Sequence, residues 1–282
     1  MIRIVTDTTA ALPDGWAARH NIPVVPQVII FEDQEYLEMV DMDRDTFMAR
    51  LVAAKTLPST AAPAPAAFEA VYRPLVAAGD TILSIHPSAE ISGTVRGATV
   101  AAQAFPGAAI HILDTRTIGG PLARLVMLAA RLAAQGQSTA AILAQLQALI
   151  PRQRLYFLVD TLEYLQKGGR IGGAAALLGS LLQLKPILGL IAGRVEGIER
   201  QRTHRRVLER LQQLVVAEAA SGDAAQLSIM HAGAGQQAAA LAASLREALA
   251  TDDILITDLV PAIVTHAGPG ALAVGFFTTE ES

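Results

Sequence analysis

Short β-branched runs alternate along this chain with longer alanine- and leucine-rich stretches at helical spacing, and no other feature limits the fold so strongly. In the first half, strands are predicted over residues 2–6, 24–31, 81–86 and 109–113. Helices are predicted over 12–20, 45–54, 66–78, 94–103 and 138–149, with a further alanine-rich helix behind Asp114-Thr115. In the second half the predicted strands are 155–159, 186–191, 195–198, 227–231, 254–259 and 271–277. A helix running to residue 182 and helices over 203–220 and 236–250 lie among them. Strand alternating with helix predicts an α/β fold with parallel pairing and right-handed crossovers. At 282 residues the chain exceeds the usual single-domain size. Two α/β domains are therefore expected, 1–151 and 152–282, divided near Pro151. Residues 32–45 are acidic and read as exposed, and the proline-rich stretch 58–65 reads as a rigid extended loop.

Composition removes several function classes. With no cysteine there is no disulfide, thiolate metal site or cysteine nucleophile. The net charge of −4 and a single basic run near 200–210 give no broad attraction to nucleic acid, so no nucleic-acid partner is expected. The most apolar stretch, 172–193, is interrupted by Lys185 and Pro186, which predicts no transmembrane segment. The amino terminus reads as a strand and not as a leader peptide, which predicts a cytoplasmic location.

Ligands of open α/β sheets gather beyond the carboxyl ends of strands. Three polar turns fit that position: Asp7-Thr8-Thr9, the turn 87–94, and Asp114-Thr115. In Ser92-Gly93-Thr94 the glycine admits close backbone approach while the hydroxyls donate to an anion, although the same residues also serve as ordinary helix caps. Thr8 and Thr9 carry the same two readings. His266, placed in a glycine- and proline-rich turn, is suited either to an anion or to a buried carbonyl. His86 and Glu90 are four residues apart, but Pro87 intervenes and no third ligand stands nearby, so no metal site is expected. Lys167-Gly168-Gly169-Arg170 has the look of a loose phosphate loop, yet the Gly-x-x-x-x-Gly-Lys-Ser/Thr spacing occurs nowhere. Nor does a Gly-x-Ser-x-Gly elbow. The residues speak for binding more than for catalysis.

Taken in order, Ile4-Val5-Thr6-Asp7-Thr8-Thr9-Ala10, Pro58-Ser59-Thr60, Ile91-Ser92-Gly93-Thr94, Gly168-Gly169-Arg170-Ile171, Leu184-Lys185-Pro186-Ile187 and the segment from Thr265 to Gly270 resemble the DegV family of fatty-acid-binding proteins. The resemblance spans nearly the whole chain. It implies two α/β domains with a long-chain fatty acid in a cleft or tunnel between them, the carboxylate held by Thr60, Ser92 and His266. Thr8, Ser88, Gly93, Thr94 and Arg170 would support that site. Some family members act as the carrier half of a bacterial fatty acid kinase, and Arg202, in the run Arg200-Gln201-Arg202, matches a segment linked to kinase docking. A solvated helix start accounts for the same charges. The chain departs from the family at Ala61 and Pro87, where hydroxyl residues are common. Each lost hydrogen bond costs anion holding about 1–3 kcal/mol where the group points at the ligand.

The leading expectation is thus a non-enzymatic carrier of a long-chain fatty acid that needs no other cofactor and hands its ligand to a separate kinase. The alternative is an enzyme on a small carboxylated or phosphorylated metabolite, with His266 as general acid or base. A ligand-sensing regulatory subunit is a third reading, for which no DNA-binding motif speaks.

Overall fold

The computed structural model describes residues 1–178 and 184–279. It divides into two compact units, one comprising Met1–Ile150 with Val260–Ala262 and the other Pro151–Leu259 with the chain from Ile263 onward. The predicted mixed α/β class holds for both.

Unit 1 is built on a parallel sheet of β1 (Ile2–Asp7), β2 (Val24–Val25), β6 (Thr81–His86) and β7 (Ile110–Asp114), in the order β2-β1-β6-β7. A second, antiparallel sheet joins β3 (Val28–Phe31), β4 (Gln34–Leu37) and β5 (Ser59–Ala61). The helices are α1 (Trp16–Arg19), α2 (Arg44–Ala53), α3 (Pro65–Ala77), α4 (Thr94–Ala102), α5 (Gly120–Ala134) and α6 (Thr139–Leu149). Val5 and Ile82 of the sheet meet Phe68 and Tyr72 of α3 and Ala98 and Ala101 of α4 in a solvent-free cluster. The small α4 residues allow that helix to lie close, and at Gly97 any side chain would strike the Pro63 carbonyl, 2.7 Å from where a Cβ would sit.

Four expectations are corrected in this unit. The strand predicted over 24–31 breaks at Pro26-Gln27, and its halves enter different sheets, because proline cannot donate to a ladder. The helix predicted over 12–20 shrinks to Trp16–Arg19, since Ala11 and Gly15 adopt left-handed backbone at φ 47° and 70°. The loop predicted over 58–65 contains β5, paired with β3 so that Thr60 faces Ile29 across the ladder. The supposedly exposed acidic stretch holds a completely buried residue, Glu38.

Unit 2 carries β8 (Gln153–Leu158), β9 (Lys185–Ile191), β10 (Arg194–Gln201), β11 (Leu227–His231), β12 (Ile254–Asp258) and β13 (Leu272–Phe277), with α7 (Glu163–Lys167), α8 (His204–Glu218) and α9 (Gly235–Leu249). The sheet order is β10-β9-β8-β13-β11-β12. Parallel pairing was expected here as well, yet only β11 and β12 pair that way. β9 and β10 are joined through Ala192-Gly193, both at positive φ, a two-residue turn whose geometry forces a hairpin. The helix predicted to end at residue 182 is a 3-10 helix over Gly172–Leu177, and residues 179–183 lie outside the described ones. Helices α8 and α9 bury Val207, Leu211, Leu241 and Leu245 against Ile229, Val274 and Phe276 of the sheet. A final helix, α10 (Pro261–Ala267), opens with residues that group with unit 1. No helix among the described residues is long and apolar enough to cross a membrane.

Candidate functional site

The chain runs from β1 to β2 on one side of the parallel sheet and later places β6 on the other side of β1. The carboxyl ends of β1 and β6 therefore bound a switch point, where such sheets open a crevice. Asp7 and His86 end those strands, both fully buried. The imidazole Nδ1 lies 2.7 Å from Asp7 Oδ2, and Nε2 lies 2.6 Å from Ser84 Oγ, which accepts from the Tyr72 hydroxyl at 2.7 Å. Tyr72 donating to Ser84, Ser84 to His86 and His86 to Asp7 satisfies every polar atom of this run. Burial pushes the Tyr72 hydroxyl up to about 12, so it stays a donor at neutral pH. His86 is thus tied into the core, and no group of three or more His, Asp or Glu side chains among the described residues is arranged to hold a metal.

The turn after β6 is folded by Ser88, whose carbonyl accepts from the Ile91 and Ser92 amides and whose Oγ accepts from the Glu90 amide at 3.2 Å. Gly93 then starts α4 without a side-chain cap of its own, and the Ser92 hydroxyl takes up the first helical amide instead. Ser92 Oγ lies 2.7 Å from Thr94 Oγ1, and it accepts the Thr94 amide at 3.3 Å. A Cβ on Gly93 would come within 3.3 Å of the Ala62 side chain. The stretch that follows β5 therefore packs directly on the Ser92-Gly93-Thr94 turn, which brings Thr60 and Ser92 into one neighbourhood; both are half-buried.

Thr8, on the 3-10 turn after β1, accepts the Gln27 amide at 3.0 Å and donates its hydroxyl to Glu38. The other carboxylate oxygen of Glu38 accepts the Ala262 amide at 2.5 Å. Glu38 thus closes the free amino end of α10. Burial raises its pKa to about 7, and the two hydrogen bonds only partly counter that.

In unit 2, His266 sits in the last turn of α10 and not in the glycine-rich turn predicted for it, which begins at Gly268. Its ring lies so close to the α7 terminus that a Cβ on Gly168 would fall 2.1 Å from Nδ1. Arg170 follows, its guanidinium donating to the Gly168 carbonyl at 2.6 Å. Burial, aided by the Arg170 charge, lowers the His266 pKa to about 4. Burial thus keeps the imidazole neutral at pH 7, and the Arg170 charge that contributes is one that an anion would meet favourably. NMR titration of the unliganded protein is expected to show the His266 ring signals unmoved between pH 8 and pH 5.5. Because an unfolded histidine takes up its proton near pH 6.5, this group lowers stability as pH falls from 6.5 toward 4. Ring signals that titrate near pH 6.5 would contradict this.

Arg202 is exposed just before α8, whose first turn Thr203 caps by accepting the Arg206 amide. A groove of about 470 Å³ lined by Phe31, Gln34, Tyr36, Arg50 and Lys55 includes none of the predicted site residues. Sequence reasoning missed Gln27 and Glu38. The only signals for them were the interrupted β run beside Pro26 and one carboxylate within a stretch that reads as solvated.

A family model described as "Uncharacterised protein, DegV family" matches residues 1–279. A DegV domain-containing protein of Deinococcus radiodurans is 35% identical over 273 residues, which cover 97% of each chain. A solved structure from Thermus thermophilus, described as showing fatty acid binding of a DegV family protein, superposes with a TM-score of 0.91 at 33% identity, covering 98% of this chain and 99% of that one. A fatty-acid-binding DegV family protein from Streptococcus agalactiae gives 0.89 at 28% identity, covering 99% of each. The chain described above belongs to the DegV family.

Proposed function

We propose that this protein is a carrier, not an enzyme, that binds a long-chain fatty acid and holds its carboxylate with Thr60, Ser92 and His266. The observation that carries the reading is the packing of the segment after Thr60 onto the Ser92-Gly93-Thr94 turn, in a fold whose relatives from Thermus thermophilus and Streptococcus agalactiae bind fatty acids. Hydroxyls and a neutral imidazole donate to a carboxylate without introducing a competing charge, and Arg170 beside His266 adds positive potential. Burial of the acyl chain supplies affinity at about 0.8 kcal/mol per CH₂. A pKa near 4 suits His266 poorly to general acid-base work at neutral pH, which speaks against the metabolite-enzyme reading. Within this proposal the exposed Arg202 docks a separate kinase that phosphorylates the presented carboxylate.

Lipid released from the denatured protein is expected to contain a long-chain fatty acid by mass spectrometry. The delipidated protein is expected to bind palmitate, and Thr60→Val, Ser92→Ala and His266→Ala each to weaken it by about 10-fold or more. No released fatty acid, together with no binding of added palmitate, would overturn the reading.

A further inference from the structure

Behind Ser92 lies a chain of buried polar groups that the carboxylate-holding role does not by itself require. Gln27 is 3% exposed and Thr94 is fully buried. The Gln27 Nε2 donates to Asp7 Oδ1 at 3.0 Å and to Thr94 Oγ1 at 3.0 Å. Asp7 Oδ1 also accepts the Thr9 amide at 3.0 Å and the Thr9 hydroxyl at 2.5 Å, while Oδ2 faces His86. An ionised carboxylate only accepts. Asp7 therefore fixes which end of the Gln27 amide points inward, and both amide protons are committed, one to Asp7 and one to Thr94.

That commitment sets the next proton. Thr94 Oγ1 already accepts from Gln27, and its own proton needs an acceptor in a site closed to water. Among the described residues the acceptor within reach is Ser92 Oγ, at 2.7 Å. Ser92 Oγ then accepts the Thr94 hydroxyl and, at 3.3 Å, the Thr94 amide, so both of its lone pairs are engaged. Its single proton is left to point away from the protein core.

We propose that Gln27 and Thr94 are positioning residues forming a one-way hydrogen-bond relay, anchored on Asp7, that turns Ser92 into a pure donor and so matches the site to an acceptor-only headgroup, an ionised carboxylate. The inference rests on the reading that Ser92 meets the ligand. It adds that the selectivity of this contact is set one and two groups behind it, at Thr94 and Gln27. Gln27→Glu keeps the size of the side chain but reverses the relay: its oxygens accept from Thr94, Thr94 no longer donates to Ser92, and Ser92 must spend its proton on Thr94.

The test uses the delipidated full chain and two probes of equal chain length, palmitate and 1-hexadecanol, titrated calorimetrically. Gln27→Glu, which leaves the Ser92 proton spent on Thr94, is expected to weaken palmitate about 10-fold and hexadecanol less than about 3-fold. Thr94→Ser, which keeps the hydroxyl, is expected to bind palmitate as wild type does. Adding Gln27→Glu to Ser92→Ala is expected to cost palmitate nothing further, which a general effect of the added charge would not produce. The relay alone is overturned if Ser92→Ala weakens palmitate while folded Gln27→Glu binds it as wild type does. It is likewise overturned if Gln27→Glu costs the same in the presence and absence of Ser92. Wild-type palmitate binding by Ser92→Ala overturns the underlying reading, and the relay with it.

Discussion

Glu38→Gln is expected to leave stability nearly unchanged at pH 4.5 and to raise it by up to about 3 kcal/mol at pH 8. Glu38 is fully buried, and burial lifts its pKa from 4.5 to about 7 despite the Thr8 hydroxyl and the Ala262 amide that donate to it. The unfolded chain therefore releases this proton before the native one does. Below pH 4.5 both states hold it and nothing is lost. As pH rises from 4.5 to 7 stability falls, at about 1.4 kcal/mol per unit of pKa difference, and above 7 the loss is constant. Glutamine carries no charge to bury, and its carbonyl oxygen still accepts the Ala262 amide. Urea denaturation of both proteins at pH 5 and pH 8 measures the difference. The opposing slope from His266 is common to the two and cancels. An equal gap between variant and wild type at both pH values would show that Glu38 is not the buried acid described.

Gly168→Ala is expected to abolish the His266 contact as effectively as His266→Ala does. The new Cβ would lie 2.1 Å from the imidazole Nδ1 and 2.9 Å from the Tyr164 carbonyl. The ring can swing away, but the carbonyl belongs to α7 and cannot, so the ring must leave its place. Overpacking of this kind costs about 1–3 kcal/mol, and palmitate affinity is expected to drop about 10-fold with it. Gly169→Ala supplies the comparison. That residue has φ +68° with nothing within 4 Å of its Cβ, so the cost there is backbone strain of about 1–2 kcal/mol. Melting temperature and palmitate titration of the two variants separate the effects. If Gly168→Ala binds palmitate as well as Gly169→Ala, His266 is not held by the close approach at Gly168.

How far the site is legible in the sequence follows from how local each part is. Ser92-Gly93-Thr94 can be read because a polar turn between a strand and a helix is a local pattern, and the structure ties it to β6 and α4 as that pattern implies. Gln27 cannot be read that way. Its value comes from being pinned between Asp7 on β1 and Thr94 on α4, far apart in the chain and adjacent only after the sheet forms. Glu38 was misjudged for the same reason. Among so many acidic neighbours a carboxylate reads as solvated, and nothing local signals that the Ala262 amide will arrive 224 residues later to receive it.

By itself the sequence determines the α/β class and most of the strands and helices, and it supplies the hydroxyls and histidine on which the proposed site rests, because periodicity and turn chemistry act over a few residues. Tertiary structure alone decides the mostly antiparallel, mixed sheet of unit 2, the division of residues 24–31 between two sheets, the placement of His266 on a helix, and the buried partners that fix charge and proton direction. Hydrogen-bond direction and pKa depend on burial and on contacts between distant segments. Those exist only once the chain has packed.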